Sequence, residues 1–280
     1  MNAGVSTLQV DAQSGRLCRW SSCVSGTQRE WLYAAGLPTQ TFVMSPFASR
    51  IADGRFNSDG QLVALPGNVP GEPHVMHGFA WQKEWQRLSV TDSHLQLECR
   101  VKSGAWPWAH RTRVEIELEE RLLRLRITLH NDSDTVMPGG IGLHPFFTRT
   151  AGAMLSAPVA QQWLLDQTGI PQAPYVRPTN GGELDRVLLR STPMDAVYSG
   201  WAGQAQLWWP EWQASLTIFS ATPHLVVYNP ITQPFFCVEP VSNVPDAVNL
   251  PESLRSQGTQ FLAAGGQHQI QIALQLDWSG

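Results

Sequence analysis

Two polar residues interrupt apolar stretches of this sequence in a way that would suit proton transfer. His144 lies in GGIGLHPFFTRT (139–150), and Glu239 lies in PFFCVEPVSN (234–243). Histidine changes its charge close to neutral pH, and desolvation raises the pKa of a carboxyl group toward the range of a general base. Together the two side chains would supply one acid and one base.

The surroundings of His144 predict an extended backbone. Pro145 disfavours the helical region at the preceding residue, so His144 is expected at the edge of a strand, with Phe146 and Phe147 packed beneath it. The alternative interpretation, a core histidine hydrogen-bonded to a carbonyl, fits the residue equally well when it is considered alone.

Glu239 is expected to end a hydrophobic strand. By the two-residue period of a strand, Phe235, Cys237 and Glu239 share one face, and a glutamate is seldom buried without a partner. The alternative is that the strand simply reaches solvent at this point, which Pro240 would allow.

Three more charged or titratable residues lie in loops rich in proline and aromatic residues. They are Arg50 in SPFASRIADGRF, His77 in VMHGFAW and Asp195 in TPMDAVYSGW. Gly78 would let a backbone or a ligand approach His77 closely. Taken one at a time, these residues are better interpreted structurally, with His77 as a loop histidine bonded to main chain and Arg50 and Asp195 each as half of a structural ion pair.

Other chemistries find no support in the sequence. It contains no GxSxG, Walker, GxGxxG or HExxH motif. His74 and His77 are three residues apart, but no helical pattern aligns them, so we expect no metal site and no cofactor. None of the four cysteines forms a CxxC pair, and free thiols are expected at Cys18, Cys23, Cys99 and Cys237.

Composition and charge restrict the class of protein and its partners. The 280 residues are 42% hydrophobic and 15% charged, which is typical of a soluble globular protein. The net charge is −4 with scattered Lys and Arg, so we expect a small neutral partner rather than nucleic acid or a membrane. The N-terminal stretch lacks the pattern of a signal peptide, so a cytoplasmic protein is expected. The expected oligomeric state is a monomer or a homodimer.

Alternation of polar and apolar residues predicts an all-β fold. In RTRVEIELEERLLRLRITLHN (111–131) it indicates two antiparallel strands joined by a turn near Glu120. Similar short runs recur along the chain and no helical stripe appears, which favours a large antiparallel sandwich. The loops at 65–80, 168–183 and 239–252 are too apolar for linkers, so residues 1–280 are predicted to form a single domain.

Taken together, these stretches resemble the aldose 1-epimerase (galactose mutarotase) family over about residues 30–275. The order matches: Arg50, then Asn68 before the HG pair, then HPFF at His144, then Asp195, and Glu239 at the end of a late strand. The resemblance implies a large antiparallel β-supersandwich of the galactose mutarotase type. It also implies cofactor-free interconversion of the α and β anomers of an unphosphorylated aldose, such as galactose or glucose.

The same resemblance implies roles for the five candidate residues. Glu239 would be the general base and His144 the general acid, while Arg50, His77 and Asp195 would hydrogen-bond a monosaccharide substrate. The candidates for an apolar wall beside the sugar are Trp81, Trp106 and Trp108, although core packing is the more common role of any one tryptophan.

Two positions differ from the family pattern. Ser49 stands where Asn is frequent, and Phe79 stands where a second glycine is frequent. HGFA is more similar to the hexose-6-phosphate epimerase branch, but an arginine follows there, and Trp81 is a poor anion ligand. A free sugar is therefore predicted, with a hexose-6-phosphate 1-epimerase or a non-catalytic sugar-binding protein as alternatives.

Overall fold

Antiparallel β-strands make up most of the computed structural model, which describes residues 1–34 and 40–278. In chain order the strands are β1 (Asn2–Ala3), β2 (Ser6–Asp11), β3 (Arg16–Val24), β4 (Thr27–Leu32), β5 (Phe42–Met44), β6 (Arg50–Ile51), β7 (Arg55–Ser58), β8 (Gln61–Ala64), β9 (Val75–Met76), β10 (Gln86–Val90), β11 (His94–Val101), β12 (His110–Glu119), β13 (Leu122–Asn131), β14 (Met137–Gly139), β15 (Gly142–His144), β16 (Phe146–Thr148), β17 (Met154–Ser156), β18 (Gln161–Leu165), β19 (Pro171–Pro178), β20 (Val187–Leu188), β21 (Met194–Ser199), β22 (Gln204–Trp209), β23 (Ala214–Ser220), β24 (His224–Asn229), β25 (Phe235–Val241), β26 (Gln260–Leu262) and β27 (Gln267–Trp278).

Helix is scarce in the described ranges, as the sequence predicts. One short α-helix, α1 (Glu252–Gly258), is accompanied by 3₁₀ turns at Ala52–Gly54, Ala80–Gln82, Pro210–Trp212 and Ala247–Asn249. None of these helices is long and apolar enough to cross a lipid bilayer.

Two large sheets form the body of the fold. The twelve-stranded sheet has the order β1-β2-β3-β4-β16-β25-β24-β21-β18-β19, and β15 joins it by pairing with both β25 and β5. The nine-stranded sheet has the order β10-β11-β12-β13-β27-β23-β22-β17-β20. The predicted all-β supersandwich is therefore confirmed.

The hairpin predicted within 111–131 is present. Strands β12 and β13 pair in continuous register from His110 opposite Asn131 to Glu119 opposite Leu122. Val114 and Ile116 are fully buried, whereas Glu115 between them and Glu117 after Ile116 lie on the outer face. This alternation turns one apolar row toward the other sheet.

Each of the three predicted loops is in part a strand. Residues 75–76 of the loop expected at 65–80 form β9, and residues 239–241 of the loop expected at 239–252 belong to β25, which therefore continues past Glu239. Residues 171–178, within the loop expected at 168–183, form β19 at the edge of the twelve-stranded sheet. Prolines are tolerated on an edge strand, because one side of its backbone has no neighbour to bond. The three prolines at Pro171, Pro174 and Pro178 therefore mark an edge rather than a break.

The twelve-stranded sheet has apolar residues on both faces. On β25, Phe236 and Val238 point into the core between the two large sheets, whereas Phe235 and Cys237 belong to a second apolar cluster. That second cluster also contains Phe42 and other residues from the segments that cover the sheet. The outer face of this sheet is therefore a covered surface with its own packing.

Two polar side chains tie the chain after β25 to the chain around β6. The Asn243 amide accepts a hydrogen bond from the Ala48 N–H at 2.9 Å and donates one to the Ala48 carbonyl at 2.9 Å. Asp246 accepts a bond from the Ala52 N–H at 2.9 Å, and its own N–H donates to the Arg50 carbonyl at 2.6 Å. The position of Arg50 relative to β25 is thus set by hydrogen bonds on both of its sides.

Gly140 makes room for the first of these contacts. A Cβ at this position would lie 2.0 Å from Oδ1 of Asn243, so no larger residue fits without moving the amide. Gly140, two residues before β15, therefore allows the backbone to pack closely against the Asn243 side chain.

We predict that Asn243→Ala lowers the free energy of unfolding by about 2–4 kcal/mol, because it leaves the buried N–H and carbonyl of Ala48 without partners. Urea denaturation of purified protein measures this change. Asn57→Ala, at an exposed position of β7, is the matched control and should alter stability by less than about 0.5 kcal/mol. Equal stability of the two variants would contradict the role of the Asn243 amide.

Candidate active site

A cavity of about 340 Å³ on the outer face of the twelve-stranded sheet contains all five candidate residues. Glu239, His144, Arg50, His77 and Asp195 line it together. They are separated by up to 189 positions in the sequence (239 − 50), so the fold brings them together. A cavity lined by apolar walls and a few convergent polar groups is the usual form of a small-molecule site.

Strand register places two of these residues on one face of the sheet. Glu239 on β25 is opposite Val226 on β24, and Asp195 on β21 is opposite Tyr228 on β24. All four side chains line the cavity. The two carboxyl groups therefore project from the same side of the sheet, two strands apart.

His144 ends strand β15 and packs against two aromatic rings. Its ring stacks on Phe42 with centroids 4.8 Å apart and on Phe146 with centroids 4.6 Å apart. Phe42 lies opposite His144 on β5. The prediction that Phe147 packs beneath His144 is wrong, because Phe147 points into the core between the sheets and packs on Phe236. The second support comes from Phe42, which sequence reasoning missed.

Arg50 and His77 come from the segment that covers the sheet. Arg50 on β6 pairs with Met76 on β9, and His77 directly follows β9. The His77 N–H donates to the Ser49 carbonyl at 2.7 Å, and His77 has a positive φ of 60°. The two-stranded β6–β9 unit therefore carries both residues over the sheet.

Gly78 allows this segment to approach the sheet. Its φ is +66°, and a Cβ would lie 2.1 Å from the Ser45 carbonyl oxygen. Only glycine fits both the conformation and the space, which explains the HG pair in structural terms.

The exposed fraction of the side chains rises from one end of the cavity to the other. It is 2% for Glu239, 10% for His144, 17% for Arg50 and 44% for Asp195. The Arg50 Nη2 lies 3.6 Å from an Asp195 carboxylate oxygen. Glu239 and His144 therefore form the floor, and the ion pair of Arg50 with Asp195 stands at the mouth.

The two floor residues are in direct contact. The His144 Nε2 lies 3.3 Å from the Glu239 Oε1. Burial raises the pKa of Glu239 well above its usual value, with a further increase from Asp195 that Arg50 partly opposes. Burial also lowers the pKa of His144 to about 3. Burial therefore favours the neutral form of each group, with the carboxyl group of Glu239 protonated and the imidazole of His144 uncharged.

His77 is kept neutral by the same environment. Burial lowers its pKa well below the usual value, and His144 and Arg50 lower it further. Its ring meets His144 edge-on with centroids 5.1 Å apart, and its Nδ1 lies 3.0 Å from the Met44 sulfur. A neutral imidazole can both donate and accept, which suits contact with a hydroxyl group.

One side-chain cluster in the described chain has the composition of a metal site. Atoms of His144, Cys237 and Glu239 all lie within 4.8 Å of one another. A metal would need the thiolate, however, and burial together with Glu239 raises the pKa of the Cys237 thiol well above its usual value. His74, by contrast, bonds Thr168 and the Asp53 N–H, away from this cluster.

The three candidate tryptophans have different positions. Trp81 lines the cavity and stacks on Phe42 with centroids 5.2 Å apart. Trp106 and Trp108 belong to the core, where they pack against Phe56. Trp81 is therefore the tryptophan that can present an apolar surface to a ligand.

A larger cavity of about 540 Å³ lies on the outer face of the nine-stranded sheet. Its charged residues are already paired, with Arg126 2.8 Å from Glu115 and Arg124 4.0 Å from Glu117. No histidine or cysteine lines it among the described residues. The acid–base chemistry is therefore found in the smaller cavity.

Comparison with known proteins gives a family and a fold. Residues 18–275 match the family model described as aldose 1-epimerase. The uncharacterised protein YphB of Escherichia coli K12 is 26% identical over 254 residues, which cover 85% of this chain and 83% of YphB.

Solved structures share the architecture along the whole chain. One is a galactose mutarotase-like protein from Clostridium acetobutylicum, with a TM-score of 0.87 and 16% identity, covering 100% of this chain and 94% of that one. Another, from Escherichia coli K12, was proposed to be an aldose 1-epimerase and has a TM-score of 0.84 and 24% identity, covering 100% and 98%. At these identities the likeness establishes the fold.

We predict that the imidazole of His144 stays neutral in the folded protein at about pH 5, because burial opposes its charged form. Nitrogen-15 NMR of the imidazole, assigned with His144→Gln, measures its protonation. The same residue in protein unfolded by urea is the control and should titrate near 6.5. A doubly protonated His144 ring in the folded protein at that pH would contradict the description of the floor.

Proposed function

The chain belongs to the aldose 1-epimerase family, and from this premise we propose that it interconverts the α and β anomers of an unphosphorylated aldose, such as galactose or glucose, without a cofactor. The observation that carries the proposal is the 3.3 Å contact between the His144 Nε2 and the Glu239 Oε1 on the cavity floor. The isomerase activity, the substrate and the residue roles given below are parts of this proposal.

The short separation suits chemistry at an anomeric carbon. The hydroxyl oxygen and the ring oxygen of a cyclic aldose are bonded to the same carbon, C1. An acid and a base that serve these two oxygens must therefore lie close together, as His144 and Glu239 do. The carboxyl groups that flank a glycosidic bond in hydrolases are at least about 5 Å apart, so the contact favours anomer interconversion over glycoside hydrolysis.

Ring opening in the proposed mechanism moves two protons and one bonding pair. Glu239, as carboxylate, accepts the proton of the C1 hydroxyl. His144, as imidazolium, donates its Nε2 proton to the ring oxygen. The bond from C1 to the ring oxygen breaks, its electron pair goes to that oxygen, and C1 becomes an aldehyde carbon.

Reclosure reverses these transfers on the other face of C1. Rotation about the C1–C2 bond turns the aldehyde, the C5 hydroxyl attacks it, and that hydroxyl returns its proton to His144. Glu239 gives its proton to the former aldehyde oxygen, which regenerates the starting state with the opposite anomer. The pair holds one proton before and after each step, so the net charge of the floor is unchanged by ring opening and by reclosure.

Burial of the floor favours the arrangement of protons that belongs to the open-chain sugar. It favours the neutral forms of both groups, so cyclic sugar requires the proton on His144, 3.3 Å from Glu239. The rings of Phe42 and Phe146 that stack on the imidazole favour its cationic form, because aromatic faces attract a cation. This contribution offsets part of the desolvation cost while ring opening occurs.

Three residues above the floor are proposed to orient the sugar. Arg50 donates to hydroxyl oxygens, Asp195 accepts from hydroxyl groups, and neutral His77 can do either. Trp81 supplies an apolar surface at the side of the cavity. Fixing the ring in this way places C1 at the acid–base pair, which is where positioning accelerates a reaction.

The charges around the cavity favour a sugar without a phosphate. Arg50 is the arginine among its described lining residues, and the carboxyl groups of Glu72 and Asp195 lie in the same lining. Trp81 is stacked on Phe42 and its indole N–H donates to the Gly78 carbonyl at 3.2 Å. A phosphate dianion would therefore meet two carboxylates and a single cation.

We predict that Glu239→Gln and His144→Ala each reduce the catalysed mutarotation of galactose or glucose by about 10²–10⁴-fold, because each removes one of the two positioned proton-transfer groups. Polarimetry on freshly dissolved α anomer measures the rate above the uncatalysed background. Glu252→Gln, on the exposed first turn of α1, is the matched control and should retain the parent rate.

Near-parent rates in both floor variants would refute the assignment of acid and base. Calorimetric binding of the sugar by the parent protein without any acceleration of mutarotation would instead favour a sugar-binding protein on the same scaffold. Faster conversion of glucose 6-phosphate than of glucose would favour the hexose-6-phosphate epimerase.

We also predict that kcat/KM does not fall as the pH is lowered from about 6.5 to 5. The active pair must hold one proton, which is lost only as pH rises through the raised pKa of Glu239, and a second proton is gained only as pH falls toward the pKa of His144 at about 3. The acid limb therefore lies far below the ordinary histidine pKa of 6.5.

Polarimetric rates, each corrected for the background in the same buffer, give this profile. A tenfold rise of kcat/KM per pH unit below a midpoint near 6.5 would contradict it, since that slope would report an ordinary, solvated histidine. Circular dichroism at each pH provides the control that the protein remains folded.

A further inference from the structure

A second cavity continues outward from the candidate active site. It has a volume of about 360 Å³ and lies between residues 71–73 and residues 165–169; we call it the outer groove. Arg50, Glu72 and Asp195 line both cavities, so the ion pair at the mouth of the inner one is also the inner end of the outer groove. The two cavities are about equal in volume, so a groove beside a sugar-sized pocket has room for a second unit of similar size.

The outer groove is held in shape by hydrogen bonds within its own walls. The Asp166 carboxylate accepts bonds from the Thr168 N–H at 2.8 Å, the Ile170 N–H at 3.0 Å and the Thr168 hydroxyl at 2.7 Å. The His74 Nε2 lies 2.9 Å from the Thr168 hydroxyl oxygen and thereby joins the two walls. A preformed groove reduces the ordering cost of binding a ligand.

One wall of the outer groove packs directly on Arg50. Gly169 is buried, has a φ of +83°, and a Cβ there would lie 2.7 Å from an Arg50 Nη atom. The backbone of the groove loop therefore covers the guanidinium group. The position of Arg50 in the inner cavity depends on the same loop that forms the groove.

The groove has the mixed lining that suits a neutral, hydroxyl-rich ligand. Gln167 and Thr168 offer an amide and a hydroxyl, and Pro73 and Leu165 offer apolar surface for the C–H face of a ring. Its charged groups are the cation of Arg50 and three carboxylates, at Glu72, Asp166 and Asp195. This excess of negative charge disfavours a phosphate or another anion at the same place.

The direction of entry decides which part of a saccharide reaches the groove. Glu239 and His144 at the buried floor must meet C1, whereas the exposed Asp195 stands at the mouth. The sugar therefore enters with its anomeric end first, and the opposite side of its ring faces the outer groove. A substituent on that side would lie between the two walls.

We propose that the outer groove is a second sugar subsite, and that the substrate is the reducing end of a disaccharide or longer saccharide whose next residue occupies the groove. This inference rests on the proposed anomer interconversion and specifies its substrate class. The next residue would be linked through the side of the ring away from C1, that is through O4 or O6.

Mutarotation of glucose, maltose and isomaltose tests the proposal, since the latter two carry a second glucose on O4 and on O6. We expect kcat/KM for at least one disaccharide to exceed that for glucose by about tenfold, which corresponds to about 1.4 kcal/mol of added binding. Gln167→Trp, which fills the groove, should remove this advantage and leave the value for glucose unchanged. Gln206→Trp, at an exposed position of β22 in the nine-stranded sheet, is the matched control and should change kcat/KM for neither substrate.

Gln167→Ala is a second groove variant that removes only the amide, so misfolding of the tryptophan variant would not decide the outcome. Lower kcat/KM for both disaccharides than for glucose would overturn the subsite, as would equal losses for glucose and disaccharide in the groove variants. If the protein accelerates mutarotation of no sugar, the proposed activity has failed separately. Calorimetric binding then tests the groove: tighter binding of a disaccharide that is lost in Gln167→Trp supports it, and equal or absent binding overturns it.

Discussion

The candidate site depends on the burial of one carboxyl group in the middle of a sheet. Strand β25 is buried over its whole length, with alternate residues in the core between the sheets and in the cluster on the outer face. Glu239 takes the position of an apolar residue in the second set, and its neighbours do not solvate its charge. The raised pKa of Glu239, its contact with His144 and the need for a covering segment that brings Arg50 and His77 all follow from that placement.

The sequence predicts strands well where polar and apolar residues alternate, because alternation indicates a strand with one buried face. The hairpin within 111–131 shows alternation because its outer face meets solvent. Polar and apolar residues do not alternate along β25, because both of its faces are buried. In β19 the prolines suggest a loop instead of a strand. Short strands such as β5, with three residues, are too brief for a period to be visible.

The five candidate residues were found because each is a polar group in an apolar stretch, and the family resemblance supplied their joint order. The supports of His144 were harder to predict. Phe147 is adjacent to Phe146 in sequence but lies on the opposite side of the strand, and Phe42 is brought in by the pairing of β5 with β15. The alternation of side chains along a strand is enough to place Phe147 on the side opposite Phe146. The pairing of β5 with β15 joins distant segments, and no short stretch of sequence predicts it. The outer groove likewise depends on two loops that are remote in sequence.

The floor of the cavity also affects the folding equilibrium. Burial raises the pKa of Glu239 above its ordinary value of 4.5 and lowers that of His144 from 6.5 to about 3, so both groups resist the charges that they carry in the unfolded chain. The cost from Glu239 grows as pH rises above 4.5 toward its raised pKa, because the unfolded chain releases that proton first. The cost from His144 grows as pH falls below 6.5 toward 3, because the unfolded chain gains that proton first. A folded chain is typically stable by only about 5–15 kcal/mol, so the packing of the two apolar clusters must offset the cost of burying these two groups.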